Sequence, residues 1–389
     1  MADRSVDVLL IGGGVASVHA ARELRAQGFT GSVLLVGRDL DPPYERPPIT
    51  KSYLLGRSSK EDALLSVPDD VEVLTRTSVM KLDTAAREAA LSTKETVGFR
   101  HALVATGANV RRLPIDGAQL DGIHFLRALR NADALRADVE QAERVGIVGG
   151  SFIACEVAAS LATLGVKSTL VFPEATPMAA LGEQVGGYVR GLLEAHDVEV
   201  LAGEQVVRLE GDGDGDGEAV RRLVTATDRM VECQAVVMGV GAMPDVMLAR
   251  SSGLELGGTG GVRCSAQLET SVEGIYAAGD MCEFDSVLHG GPVRIEHHEV
   301  AAAQGRAAAR NMLGANEPFR EVPYFWSDLA DWATIESVGP PADWDAEEVR
   351  GRFDDGAWSV LYRRGGTLVG AATVGRPEDL DEVRATLAA

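Results

Sequence analysis

Two glycine-rich runs carry the most legible chemistry in this chain. The first is Val8-Leu9-Leu10-Ile11-Gly12-Gly13-Gly14-Val15-Ala16-Ser17, and the second is Val145-Gly146-Ile147-Val148-Gly149-Gly150-Ser151-Phe152-Ile153-Ala154. Each follows a short apolar run and opens a helical pattern. That arrangement sets a pyrophosphate against the free N–H groups of a helix start. In the first run Gly12 permits the tight turn and Gly14 lets the backbone approach a phosphate. Ser17 stands at the third glycine position and is small enough for helix–strand packing, and Asp39 lies far enough downstream to reach a ribose. In the second run Ser151 and Ala154 replace glycines, so that site departs from the pattern. Two such turns imply two nucleotides brought together, one resident and one visiting. That is the logic of a flavoprotein reduced by a nicotinamide.

The elements that must position these turns alternate between strand and helix. Residues 6–11 read as a buried strand, 15–27 as a helix and 32–36 as the next strand of a βαβ unit. A proline-rich loop, Pro42-Pro43-Tyr44-Glu45-Arg46-Pro47-Pro48, follows. Residues 101–107 read as a strand entering a turn, and 127–143 as a helix. The second unit has strands at 145–148 and 168–172 around a helix at 152–164. Short β segments fill 198–238, a strand ends at Gly279-Asp280, and an alanine-rich helix covers 297–313. Past Pro318 the pattern turns to aromatic-rich β segments, with a last helix from near Pro377. The fold class expected is α/β, with two Rossmann-like dinucleotide-binding domains and a small α+β C-terminal domain. The boundaries are 1–108 with 241–318 for the first domain, 109–240 for the second and 319–389 for the third.

Bulk properties narrow the partners. The chain has 389 residues, 46% of them hydrophobic, and a net charge of −21. Such acidity argues against a nucleic-acid partner or an anionic membrane surface, both of which need a basic face. No apolar run reaches about 18 residues, so no transmembrane helix is expected. The N-terminus runs straight into the first turn, without a signal-peptide pattern. Cys155, Cys233, Cys264 and Cys282 form no CxxC pair, which predicts reduced thiols in a cytoplasmic protein and no metal site. Asp212, Asp214, Asp216 and Gly217 imitate the start of a calcium loop, but the closing Glu position is Leu223. A solvated hairpin turn is the better reading.

Tyr44-Glu45-Arg46-Pro47-Pro48-Ile49-Thr50-Lys51-Ser52-Tyr53-Leu54 resembles the flavin-contacting loop of oxygenase-coupled ferredoxin and rubredoxin reductases, which apoptosis-inducing factor shares. All belong to the glutathione-reductase-like flavoproteins with two dinucleotide domains. Ala105-Thr106-Gly107, Leu126-Arg127, Gly279-Asp280, Arg294-Ile295-Glu296-His297-His298 and Pro323-Tyr324-Phe325-Trp326-Ser327-Asp328-Leu329 match in order. The resemblance implies FAD held by Gly12, Gly14, Ala16, Arg38, Asp39, Arg46, Lys51, Val79, Thr106, Gly107, Arg127, Gly279, Asp280, His297, His298 and Trp326. One departure is visible: the acid usual after the second strand is Arg38 here, and Asp39 is its expected substitute. The resemblance also pairs Lys51 with Glu156 beside the flavin and places Trp326 against its face, which makes these three the catalytic candidates. A structural salt bridge and an interface aromatic are the plain alternatives.

The same resemblance implies NADH at Gly149, Gly150, Phe152, Ile153, Glu156, Glu174 and Gly241, with Ser151 crowding the pyrophosphate. Phe172 takes the usual ribose-acid position, Glu174 follows, and no arginine between 168 and 189 awaits a 2′-phosphate, which favours NADH over NADPH. The loop at 42–55 lacks the cysteines of disulfide reductases, so electrons leave the flavin directly. The expected function is NADH-driven electron transfer to a [2Fe–2S] ferredoxin or similar carrier serving an oxygenase or P450. Arg306 and Arg310, with Arg320, Arg363 and Arg364, could form a docking patch on a monomer or homodimer. A stand-alone NADH oxidase or quinone reductase, a redox-sensing interaction protein and a flavoenzyme oxidising an organic substrate remain open.

Overall fold

The computed structural model describes residues 2–213, 218–339 and 344–388. Its first sheet has seven strands. Glu72–Leu74, Val33–Val36, Arg4–Ile11 and Thr96–Val104 run parallel, and Ile275–Ala277 joins Thr96–Val104 from late in the chain. Val79–Asp83 and Glu88–Leu91 extend the sheet antiparallel. Buried strands without alternation, such as Val33–Val36, are what a sheet covered on both faces requires. The helices Val15–Ala26 and His298–Met312 pack together on it. Their approach depends on Gly305, where a Cβ would stand 2.0 Å from the Ala16 carbonyl oxygen.

The second sheet has five parallel strands in the order Glu199–Ala202, Lys167–Phe172, Arg144–Val148, Ala235–Met238, Ile123–His124. Helix Phe152–Thr163 crosses between Arg144–Val148 and Lys167–Phe172. The short β segments read at 198–238 are present, and three of them form an antiparallel sheet at Val206–Gly211, Val220–Thr225 and Met230–Glu232. The acidic stretch expected as a hairpin turn lies between the first two of these in sequence. Asp214, Asp216 and Gly217 lie outside the described residues. Among the described residues no group of three or more His, Cys, Asp or Glu side chains could hold a metal ion, and no helix is long and apolar enough to cross a membrane.

The chain crosses between the two parallel sheets twice. Both crossings are pinned by an antiparallel pair, Ala108–Val110 with Ala242–Pro244. The C-terminal segment folds into a five-stranded antiparallel sheet capped by Pro377–Ala388. It shares one continuous apolar cluster with the second parallel sheet. Aromatic side chains make much of that junction: Trp332 stacks on His196 at 3.6 Å, Trp358 meets Tyr188 edge-on at 5.1 Å, and the buried Tyr362 hydroxyl donates to the Leu181 carbonyl at 2.7 Å. Tyr362→Phe is expected to cost roughly 1 kcal/mol of stability, read from denaturant unfolding, because the Leu181 carbonyl loses its buried donor.

Candidate functional site

The two glycine turns adopt the same backbone solution. Gly12 has φ +123° and Gly149 has φ +110°, and a Cβ would stand 2.1 Å from the Ala105 carbonyl oxygen or 2.3 Å from that of Gly239. Only glycine fits either place. At Gly14, by contrast, an added Cβ meets no protein atom within 4 Å. The space beside Gly14 is open cleft, reserved for something outside the chain. The following helix starts at Val15 with no side-chain cap, leaving its first N–H groups free.

Ser151 occupies the place corresponding to Gly14. Its φ of −72° is ordinary, and its hydroxyl donates to the Gly239 carbonyl at 2.7 Å and accepts from the Ala154 N–H at 3.3 Å. The serine therefore caps its own helix and ties the turn to the neighbouring strand. The replacement is an organised structural feature, and only its Cβ narrows the approach to the turn. Ser151→Gly should tighten NADH binding while costing a few tenths of a kcal/mol in stability. Equilibrium titration with NADH would show the opposite, weaker binding, if the hydroxyl itself held the nucleotide.

A cleft of about 810 Å³ runs from the first turn to the C-terminal sheet. Every residue assigned to FAD from sequence lines it: Gly12, Gly14, Ala16, Arg38, Asp39, Arg46, Lys51, Val79, Thr106, Gly107, Arg127, Gly279, Asp280, His297, His298 and Trp326. The residues assigned to NADH divide. Phe152, Ile153, Glu156 and Gly241 line the same cleft. Gly149 and Gly150 lie outside its walls, and Gly150 packs on the buried Phe172, where a Cβ would come within 2.9 Å of the ring. Glu174 is exposed and lies beyond the cleft.

The buried Glu156 lines the cleft. One carboxylate oxygen accepts from Lys51 Nζ at 2.8 Å and from Ser327 Oγ at 2.7 Å, and the other accepts from Thr50 Oγ1 at 2.5 Å. Three donors from the proline-rich loop and the C-terminal sheet thus hold one carboxylate on the helix after the second turn. The loop is anchored independently, since Ser160 Oγ donates to the Thr50 carbonyl at 2.7 Å. Cys155, adjacent in sequence, is buried, and burial pushes its thiol up, away from reactivity.

The flanks of the cleft are charged. Arg127 pairs with Asp280 at 3.2 Å, and Arg46 pairs with Asp39 at 2.9 Å and donates to the Arg127 carbonyl. Burial, and then the neighbouring Arg46 charge, push the Arg127 guanidinium down. His298 meets Glu45 at 3.0 Å and faces Trp326 edge-on at 6.0 Å. His297 Nδ1 is buried without a hydrogen-bond partner among the described residues, and burial lowers its imidazole to about 4 from the ordinary 6.5. The unfolded chain therefore binds a proton at pH values where the folded chain does not. Stability of the flavin-free protein is expected to fall as pH drops from 6.5 towards 4. A His297→Phe variant should show a flatter unfolding profile across that window.

A family model described as pyridine nucleotide-disulphide oxidoreductase matches residues 6–305, and one described as reductase C-terminal matches 324–389. The chain belongs to the pyridine nucleotide-disulphide oxidoreductase family. Rhodocoxin reductase of Rhodococcus erythropolis is 32% identical over 98% of this chain and 90% of its own length. The ferredoxin–NAD(+) reductase component of the Paraburkholderia xenovorans biphenyl dioxygenase system is 33% identical over 94% and 89%. The reductase in the covalent putidaredoxin reductase–putidaredoxin complex superposes with a TM-score of 0.92 at 28% identity, covering 100% of this chain and 94% of that one.

Against that family frame the cleft has no thiol: no cysteine is among its walls, and the four cysteines are buried and unpaired. Sequence reasoning missed Thr50 and Ser327 as partners of Glu156, although each adjoins a residue it had singled out. It also missed Phe325, whose ring lies 4.9 Å from Phe152 and 4.6 Å from His297. The arginines read as a docking patch are largely engaged. Arg306 meets His19, Arg310 pairs with Glu23 and Glu317, and Arg363 pairs with Glu348.

Proposed function

We propose that the chain is an FAD-dependent, NADH-oxidising reductase that passes electrons singly to a [2Fe–2S] ferredoxin or similar carrier of an oxygenase or P450 system. The carrying observation is a thiol-free cleft. In it the first glycine turn, the Lys51–Glu156 pair and the start of the helix after the second turn share one space. The relatives named as reductases of such systems, matched over nearly their whole length, support the same reading. We assign the first nucleotide unit to 1–108 with 241–318, the second to 109–240 and the aromatic-faced reductase unit to 319–389. Four buried, unpaired thiols support a cytoplasmic location.

The residues fit FAD. The space at Gly14, the uncapped helix starts at Val15 and His298 and the orphaned His297 Nδ1 all await an external partner. Gly12, Gly14 and Ala16 would hold the pyrophosphate, with Arg46, Arg127 and Asp280 fixing the chain beyond it. When bound, FAD supplies acceptance of an electron pair from NADH and release of single electrons. Lys51 keeps a positive charge in the cleft, and Glu156 fixes where that charge stands. Phe152 and Phe325 exclude water, and Trp326 with His298 closes the end towards the C-terminal sheet.

Anaerobic stopped-flow mixing with NADH tests the reading. Bleaching of flavin absorbance within seconds is expected, with NADPH slower. Absence of bleaching with either nucleotide overturns it, and carrier-free turnover in air matching carrier-dependent turnover would make the protein an oxidase. Because Arg310 and Arg363 are paired with carboxylates, steering by the arginine patch is weak, and carrier reduction is expected to change little with salt. A steep fall with rising salt would show instead that an unpaired basic patch steers docking.

A further inference from the structure

The end of the second strand is where a Rossmann unit places the carboxylate that receives the adenosine ribose. Here that position is Arg38, a donor, which cannot accept. Asp39 follows it, but its Oδ2 is taken by Arg46 at 2.9 Å and by Tyr44 at 3.2 Å, drawing the side chain towards the proline-rich loop. A second acid lies in the same part of the cleft. Asp245 is buried and lines the wall. Its Oδ2 accepts from Arg38 Nη1 at 2.7 Å. Its backbone is fixed at both ends, the N–H donating to the Gly107 carbonyl at 2.8 Å and the carbonyl accepting from Thr106 Oγ1 at 2.6 Å. Arg38 is held in turn by Asn109 Oδ1 at 2.7 Å.

We propose that Asp245, held in place by Arg38, supplies the carboxylate that accepts from the adenosine ribose of bound FAD, in place of Asp39. The inference rests on the FAD reading above. Buried carboxylates are costly and are kept where their oxygens find donors. Asp245 has one oxygen clamped by Arg38, and the cleft wall gives the other a place to meet a ribose hydroxyl. Arg38 thereby has a function at the position where the expected acid is absent: it orients a carboxylate brought from elsewhere in the chain. Asp245 follows directly on Ala242–Pro244, the strand that carries the chain back from the second nucleotide unit. The adenosine grip would thus belong to the crossing between the units.

The test uses full-length protein stripped of flavin and titrated with FAD and with FMN, which lacks the adenosine half, following flavin fluorescence. Asp245→Asn is expected to weaken FAD about tenfold or more and leave FMN unchanged, since a charge-assisted bond to the ribose is lost. Arg38→Met, which releases the clamp without altering the carboxylate, should act in the same direction, and Asp39→Asn should act little. Unchanged FAD affinity in both Asp245→Asn and Arg38→Met overturns the inference. So does equal weakening of FAD and FMN, or a larger loss in Asp39→Asn. A wild-type chain without FAD affinity would instead overturn the functional reading itself, and shows before any variant is compared.

Discussion

Glu156→Gln is expected to slow bleaching of the flavin by NADH about a hundredfold, the scale on which a preorganised electrostatic partner contributes. Glutamine keeps the shape but brings an NH₂ group to a point where Lys51, Thr50 and Ser327 all donate. The amide oxygen can still accept from Lys51 and Ser327 while the Thr50 hydroxyl turns to accept from the NH₂, but Lys51, only 16% exposed, keeps a charge with no counter-charge beside it. Stability should fall too, by roughly 1–3 kcal/mol, because the bond to Lys51 loses its charged acceptor. The double variant Lys51→Met with Glu156→Gln separates the two effects. Removing both charges should restore much of the stability while the rate stays low, and the cycle yields their coupling. A single variant that loses stability but bleaches at the wild-type rate would make the pair a structural salt bridge with no kinetic part.

What the sequence could show followed the range of each interaction. The glycine turns were legible because the requirement is local: φ +123° at Gly12 and the Cβ contact with Ala105 are demanded by a strand–turn–helix of a few residues. The Lys51–Glu156 pair was legible only through resemblance, since 105 positions separate the partners. Asp245 was not singled out, because nothing in its own segment shows what its carboxylate meets. Its bond to Arg38 spans 207 positions. The partners of the docking arginines were out of reach for the same reason: Glu23 meets Arg310 across 287 positions. Helix Gly182–Ala195 went unread because Gly182, Gly186, Gly187 and Gly191 lower its propensity, and burial of Val185, Val189 and Leu193 overrides that.

Gly12→Ala is expected to give a chain without flavin and with stability reduced by about 3–5 kcal/mol, combining the strain of a left-handed non-glycine residue with overpacking. The methyl would stand 2.1 Å from the Ala105 carbonyl oxygen, which is backbone and cannot swing aside. Nor can either segment retreat. Gly12 N donates to the Val36 carbonyl at 2.8 Å, and Ala105 N donates to that of Ile11 at 2.8 Å, so moving one unzips parallel strands at the centre of the first sheet. Gly14→Ala is the informative companion, because its methyl meets no protein atom within 4 Å. It should fold with near wild-type unfolding behaviour and lose affinity only for what occupies that space. Flavin content after purification and thermal unfolding of both variants decide the matter. If Gly12→Ala keeps its flavin, the turn is looser than its contacts demand. If Gly14→Ala keeps its flavin, no phosphate approaches there, and the same methyl on Ser151 is then no obstacle to NADH.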